Sequence, residues 1–533
     1  MNGDSFQAAG ESSTLVGLLR ARALDDPERV LYTFLPDGER EAARLTLGRL
    51  DERARAVAAM LQDGGLEGER ALLLYPPGLE FIAAFFGCLY AKTVAVPAVP
   101  PRSSHALPGL RATIHDARPS VILTESSFLP RAARWLRRSV EGGDLRLLAT
   151  DATAPDLAAR WRPPSLTGDT LAFLQYTSGS TAAPRGVRVT HGNLLHNERS
   201  IRGAFRQDES SVVVGWLPLY HDMGLIGNVL QPLVAGSRCI LMPPLAFLQR
   251  PLRWLDCISR YRATTSGGPN FAYELCLRKI EPEARARLDL GSWTVAFNGS
   301  ETVRAETLEA FADAFGPCGF RREAFQPCYG LAEATLLVSG GRGRAEGTGG
   351  VNRARPKVAG RGRVSRPPSD GDGAREFVSC GEIAEGTRVV VVDPHRRARR
   401  RSGEVGELWV SGPGVAAGYW GRPEETERTF RARLTDGGAG AYLRTGDLGF
   451  VRGRELFVTG RLKELIIVRG RNYYPQDIEL TVEKCHPAFG RAGGGAAFSA
   501  EVEGEERLVL VQEVPGGTDA GAAAAAARRA VAE

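Results

Sequence analysis

The sequence predicts an α/β protein with two consecutive units of largely parallel sheet, then a β-rich segment and a small C-terminal domain. Three observations predict it. Short apolar runs alternate with stretches of helical spacing, the alternation occurs in two successive blocks, and the later runs follow one another closely with turn residues between them. At 533 residues the chain exceeds what one hydrophobic core organises, so two or more domains are expected.

Residues 13–23 and 47–62 carry apolar side chains at helical spacing. RALLLYPPG, VAVPAVPP, SVILTE and LRLLAT are short apolar runs between helical stretches, the pattern of βα units. The most apolar stretch, FIAAFFGCLYAKTVAVPAV from Phe81, is interrupted by Lys92 and followed by Pro97. It reads as a buried helix running into a strand, not a membrane span. LAFLQY is a strand and HGNLLHNERSI opens a helix. The second block runs through SVVVGWLP, a helix over GLIGNVLQPLVAG, SRCILMPP, helices near PLRWLDCISRY and FAYELCLRKI with TTSGG between them, and the strand WTVAFNG. Residues 340–375, rich in Gly and Arg, read as an inserted segment. TRVVVVDP, GELWVSGPG, ELFVTG, ELIIVRG and RLVLVQEV are further strands, and the Ala-rich end is a helix.

Composition narrows the function. Hydrophobic residues make up 43% and charged residues 24%, ordinary for a globular enzyme. A net charge of +6 over this length is a weak bias. The Arg-rich hexad 396–401 reads as a solvated hairpin connection, since no aromatic platform for a nucleic acid accompanies it. Eight scattered cysteines form no CxxC pair, so a reduced, cytoplasmic setting is expected, with neither zinc nor disulfides. MNGDSFQAAGESSTLVGLL lacks the basic and apolar regions of a signal peptide.

Chemistry concentrates in five segments. QYTSGSTAAPRGVRVTHGN (175–193) packs small and hydroxyl residues, Thr177, Ser178, Gly179, Ser180 and Thr181, between an expected strand and an expected helix. Such a turn lets backbone N–H groups point at an anion, though it is not a GxxxxGK[ST] loop. LPLYHDMGLIG carries His221, CYGLAEATL carries Glu333, LRTGDLG carries Asp447, and GRLKELIIVRGRNYYPQDIE carries Arg461 and Lys463.

In order and spacing these segments resemble the adenylate-forming superfamily of acyl-CoA synthetases, luciferases and peptide-synthetase adenylation domains, over nearly the whole chain. FLQRPLRWLDCISRYRATTSGGPNFAYELC and FQPCYGLAEATLLVSGG resemble its fatty acyl-AMP ligase branch. The resemblance implies a large domain over residues 1–461, with two α/β sheet subdomains, a small β-barrel and an insertion near 340–378, and a small α+β mobile domain over 462–533. It implies ATP and Mg²⁺ as cofactors, a medium- or long-chain fatty acid as substrate, acyl-AMP and pyrophosphate as products, and an acyl carrier protein as acceptor. An acyl-CoA synthetase and a binding protein without turnover are the alternatives.

The resemblance also distributes roles. The 177–181 loop would hold the β- and γ-phosphates and Glu333 would bind Mg²⁺. Asp447 would accept the ribose hydroxyls, with Arg461 beside it. Tyr329 and Gly330 would face adenine, with Asn298, Gly299, Ser300 and Glu301 as the other wall. His221 would stand at the mouth of the acyl tunnel and Lys463 at the hinge. The chain departs from the family at Ala182 (usually Gly), Arg185 (usually Lys) and Ala332 (often Thr). Arg185 keeps the charge of Lys but not its shape. No family-type distal lysine follows Pro475, so the mobile domain is expected to be incomplete and adenylation by these 533 residues impaired.

Overall fold

The computed structural model describes residues 12–101, 107–139, 145–177, 184–341, 352–356, 376–437, 440–468, 471–489, 494–502 and 505–532. Two sheets carry the predicted α/β blocks. In the first, Arg70–Leu73, Val94–Pro97, Val121–Thr124, Arg146–Ala149 and Leu171–Thr177 run parallel, with Arg185–Thr190 added antiparallel at one edge. In the second, five parallel strands follow the order Phe325–Pro327, Val295–Asn298, Thr265–Gly268, Val212–Gly215 and Arg238–Leu241, continued by Val30–Phe34 and the antiparallel Ala43–Thr46.

The segment from Phe81 is the expected helix-into-strand. Leu79–Tyr90 buries every residue except Glu80 and is followed by Val94–Pro97. A helix apolar all round has to sit inside a core. Among the described residues, no helix is long and apolar enough to cross a membrane.

The opening motif differs from its sequence reading. RGVRVT is a strand, not part of the turn. Leu171–Thr177 and Arg185–Thr190 pair antiparallel, with Thr177 opposite Arg185. The helix His191–Phe205 starts only after the second strand, where Thr190 and Asn193 form a capping box. The helix therefore does not begin directly after residues 178–183, as the sequence reading expected, but one strand later. Any anion there would rely on loop N–H groups, hydroxyls and nearby cations.

The expected barrel is a third, antiparallel sheet of seven strands, ordered Tyr329–Gly330, Leu337–Gly340, Glu382–Ile383, Glu455–Arg461, Leu443–Arg452, Gly406–Ser411 and Arg388–Val392. The Arg-rich hexad lies in the connection between the last two strands in this order, where Arg396, Arg397, Arg399 and Arg401 are exposed and Arg400 alone turns in to pair with Asp393 at 2.9 Å. The described ends of the insertion come together: Arg353–Ala354 pairs with Phe377–Val378. Ala354 and Phe377 join a buried cluster with Phe450 and Phe457 of the third sheet, and Phe377 meets Phe450 edge-on at 6.3 Å between ring centroids. Past Arg461, the helices Pro475–Cys485 and Ala520–Ala532 and the hairpin Gly495–Val502/Glu505–Gln512 enclose a core of Ile478, Val482, Phe489, Ala497 and Ala523.

Candidate active site

The second sheet positions the site by its carboxyl strand ends, the usual ligand edge of an open α/β sheet. His221 follows Val212–Gly215, Ser300 follows Val295–Asn298, and Tyr329 follows Phe325–Pro327. Between the last two strands Cys328 N–H donates to the Asn298 carbonyl at 2.9 Å, and the chain then enters the third sheet. The cavity between them has a volume of about 700 Å³, and His221, Ser300, Tyr329, Glu333, Asp447 and Arg461 all line it.

Asp447 is 4% exposed and has a partner on each carboxylate oxygen. The Tyr329 hydroxyl donates to one carboxylate oxygen at 2.6 Å, and Arg461 Nε pairs with the other at 2.9 Å. Strand register explains the second contact, because Asp447 and Arg461 face each other across an antiparallel pair. Asp447 does not sit in the expected tight turn but inside the strand Leu443–Arg452, where the pairing with Gly406–Ser411 shifts register and Gly446, at φ +73°, adopts a conformation that favours glycine. Burial holds the Asp447 carboxyl above its usual range, with Arg461 and Tyr329 opposing the shift. Each oxygen still keeps a second acceptor site, enough for a vicinal diol.

Glu333 stands on the short turn Ala332–Ala334. Its Oε1 accepts from the Tyr419 hydroxyl at 2.8 Å. Burial raises its carboxyl above the usual range, and the Tyr419 bond works against that. The turn closes at Thr335 with φ 69° and ψ −62°, a strained conformation for a β-branched residue. Its hydroxyl, donating to the Gly414 carbonyl at 2.7 Å, pins it there. Gly330 is obligatory at the neck of this turn: a Cβ would lie 1.7 Å from the Leu336 carbonyl oxygen. Arg185 pairs with Glu425 at 3.0 Å and lies over the Tyr419 ring at 5.3 Å, so its charge stands near the Glu333–Tyr419 pair.

His221 Nδ1 lies 2.6 Å from the Asp222 carboxylate, a contact that raises the imidazole pKa. Gln175 supports this segment by donating to the Tyr220 carbonyl at 3.1 Å. Thr177 and Lys463 also line the cavity, whereas Ser178, Gly179, Ser180 and Thr181 lie outside the described residues.

Of the four residues expected as the second wall of an adenine site, one lines the cavity. Ser300 reaches the cavity, but Asn298 is fully buried and donates to Asn270, and Gly299 packs against Cys328. Glu301 accepts instead from the Phe271 N–H at 2.6 Å, at the start of the helix Asn270–Lys279. Consecutive residues leaving a strand point in different directions, so one of the four faces inward.

Sequence reasoning missed Tyr419 and the pair Arg444–Glu407, which lines the cavity with its closest contact at 2.7 Å. The signals were a Tyr in GVAAGYW and a Glu opening GELWV, neither of which identifies a distant partner.

Fold and cavity together define an α/β enzyme of the adenylate-forming class. The sequence matches the family described as AMP-binding enzyme over residues 19–420. It is 49% identical over 508 residues to the medium-chain-fatty-acid–[acyl-carrier-protein] ligase JamA of Moorena producens (strain JHB), covering 95% of this chain and 86% of that one. Identity to the ligase of the same description TtuA of Teredinibacter turnerae is 36% over 549 residues, covering 95% and 85%. A crystal structure of fatty acyl-adenylate ligase from L. pneumophila, in complex with acyl adenylate and pyrophosphate, superposes with a TM-score of 0.81 at 40% identity, covering 98% of this chain and 90% of that one. The chain belongs to the AMP-binding enzyme family, in its fatty acyl-AMP ligase branch.

Proposed function

We propose that this protein activates a medium- or long-chain fatty acid with ATP, giving acyl-AMP and pyrophosphate, and passes the acyl group to an acyl carrier protein. One observation carries the reading. A single cavity is lined both by the fixed Asp447–Tyr329–Arg461 group with Glu333 and by the apolar side chains of Ile201, Phe205, Phe297 and Leu337, which suit an acyl chain. The named activities of the relatives point the same way.

In the reaction a fatty carboxylate oxygen attacks the α-phosphorus, the new O–P bond forms, and the bond to pyrophosphate breaks with its electron pair. No proton needs to move. The barrier lies in bringing an anion to a polyanion, so positioning and charge neutralisation supply the catalysis. His221, kept cationic to higher pH by Asp222, draws the carboxylate into the cavity. Asp447 takes the ribose hydroxyls, Arg461 flanks them, and Tyr329 with Ser300 borders the base. Residues 177–181 receive the β- and γ-phosphates.

Mg²⁺ fits the donors present. Glu333 Oε1 accepts a hydrogen bond from the Tyr419 hydroxyl, and Oε2 would serve as a hard oxygen ligand. One carboxylate plus substrate phosphates and water is a common Mg²⁺ environment. When bound, the ion would neutralise phosphate charge. Lys463 marks the boundary between a large domain, residues 1–461, and a mobile domain, residues 462–533. The insertion rooted at 353–378 disfavours CoA as acceptor. The protein acts in the cytoplasm, a reading supported by its free cysteines.

The test is product analysis by mass spectrometry, with ATP, a fatty acid and either carrier protein or CoA. Acyl-AMP and carrier-bound acyl chain support the proposal. Efficient acyl-CoA formation assigns the acyl-CoA synthetase reaction instead, and tight acyl-AMP binding with no pyrophosphate release assigns a binding protein.

A further inference from the structure

One end of the third sheet carries a surface of arginines. Arg396, Arg397, Arg399 and Arg401, in the connection after Arg388–Val392, are exposed, and so are Arg428, Arg431 and Arg433 at and beyond the end of the helix Pro423–Phe430. Hydrogen bonds join the two segments into one surface. Thr435 N–H donates to the Arg397 carbonyl at 3.0 Å, and Arg399 N–H donates to the Asp436 carboxylate at 2.9 Å. Asp393 fixes the shape of the connection by accepting from the N–H groups of His395 and Arg396, each at 3.0 Å.

The charge is concentrated and unpaired. Over residues 388–404 and 427–436 nine arginines stand against four acids, which is five of the chain's six excess positive charges. Exposed arginines elsewhere find a carboxylate, as Arg40 does with Asp37 at 3.0 Å and Arg262 with Asp289 at 3.2 Å. Among the described residues, Arg396, Arg397, Arg399, Arg401 and Arg433 pair with none, while Arg400 and Arg431 have Asp393 and Glu427. A surface of one sign repels itself when bare, and a partner of opposite charge relieves the repulsion.

The surface adjoins the cavity. Arg428 and Thr429 line it, and Glu407, which also lines it, pairs in register with Val392 just before the arginines. By chain length alone Arg431 lies within about 7 Å and Arg433 within about 14 Å of Thr429, Cα to Cα. Other features narrow the partner. The nearby rings of Trp409 and Tyr442 are buried, so they offer a nucleic acid no stacking platform. Neither segment presents an exposed large apolar side chain to anchor it in a bilayer.

We propose that this arginine surface docks an acidic face of the acyl carrier protein and brings its thiol to the cavity. The inference rests on the proposed transfer to a carrier and names the surface that receives it. Charge complementarity of this kind speeds encounter and selects partners more than it adds affinity. It plays no part in holding acyl-AMP, so docking and nucleotide binding should separate.

The test compares wild type with the triple variant Arg396→Glu, Arg399→Glu and Arg433→Glu in the full chain. Calorimetry with synthetic acyl-AMP reads the cavity. Mass spectrometry of the holo-carrier protein of bacterial fatty acid synthesis, incubated with protein and synthetic acyl-AMP, reads transfer. At low salt the variant is expected to lower kcat/KM for the carrier about 10- to 100-fold, with acyl-AMP affinity unchanged. The gap should narrow as salt rises, because exposed charges are screened. Lysine at the same three positions keeps the charge and should keep most of the rate. Transfer unaffected by charge reversal, or lost together with acyl-AMP affinity, overturns the inference. So does reversal-sensitive binding to phosphatidylglycerol vesicles or to RNA while transfer is untouched, which assigns the surface to that partner. If wild type binds acyl-AMP but charges no carrier, the proposed acceptor fails and the inference with it. If wild type binds no acyl-AMP, the proposed site itself fails.

Discussion

The Asp447 end and the Glu333 end of the cavity are built differently. Asp447 already has Tyr329 on one oxygen and Arg461 on the other, with its own N–H donating to Thr445 Oγ1 at 3.0 Å. Glu333 has one neutral side-chain partner, Tyr419, and Arg185 beside it is occupied by Glu425. The first carboxylate is set before any ligand arrives. The second is held in position but not neutralised, so its compensating charge has to come with the ligand. A group engaged equally throughout the reaction contributes binding, whereas one engaged as charge shifts contributes rate.

The largest expected effect follows directly. Glu333→Gln keeps shape and the Tyr419 contact but removes the charge, and should lower the rate of acyl-adenylate formation about 10²–10³-fold. Affinity for preformed acyl-AMP should change little. An equal loss in both would erase the distinction between the two ends. The same carboxyl sets a pH limb. Because its pKa is raised, wild-type activity should fall as pH drops, beginning above the ordinary carboxylate range, and Glu333→Gln should lack that limb.

Asp447→Asn comes next and should act on affinity, weakening acyl-AMP binding about 10- to 100-fold by calorimetry. It should also stabilise the empty protein. With its pKa raised by burial, Asp447 binds a proton more readily folded than unfolded. Its contribution favours the fold fully below the unfolded carboxylate range and is lost as pH rises through the raised value. Asn removes the buried charge, so Tm at pH 8 should rise by about 1–2 °C. An unchanged or lower Tm would mean that Arg461 and Tyr329 repay the cost of burial.

Smaller effects sharpen the contrast. Tyr419→Phe should slow adenylation about tenfold with little change in acyl-AMP affinity, and Tyr329→Phe should weaken affinity a few-fold with little change in rate. Steady-state kinetics paired with calorimetry checks both, and exchange of the two profiles would reverse the assignment. Asp222→Asn should shift the alkaline fall in fatty-acid kcat/KM to lower pH, because the Asp222 contact is what raises His221.

The helix-into-strand at Phe81, the parallel blocks and the main cavity residues were legible because each is signalled locally, by apolar period or by small residues crowding an acid. The topology of the first motif was not. RGVRVT alternates as a strand should, but its partner strand is recognised only once pairing is seen. Tyr419 lies 86 residues from Glu333, and Arg444 lies 37 from Glu407. No local pattern announces such pairs, because folding alone brings them together. Asn298, Gly299 and Glu301 show the converse limit: the sequence shows their order beside Ser300 but not which way each side chain turns.

The register that sets Asp447 opposite Arg461 has a mechanical consequence. Just beyond that pair, the Leu462 N–H is tied to the Gly446 carbonyl at 2.8 Å, and Lys463 is the next residue. A swing beginning at Lys463 would have its fulcrum beside that pair. Displacement grows with distance from a fulcrum, so the far hairpin Gly495–Val502/Glu505–Gln512 would sweep a wide arc while the Asp447–Arg461 clasp barely moved. Anything the clasp held would not need to be released for the arm to turn.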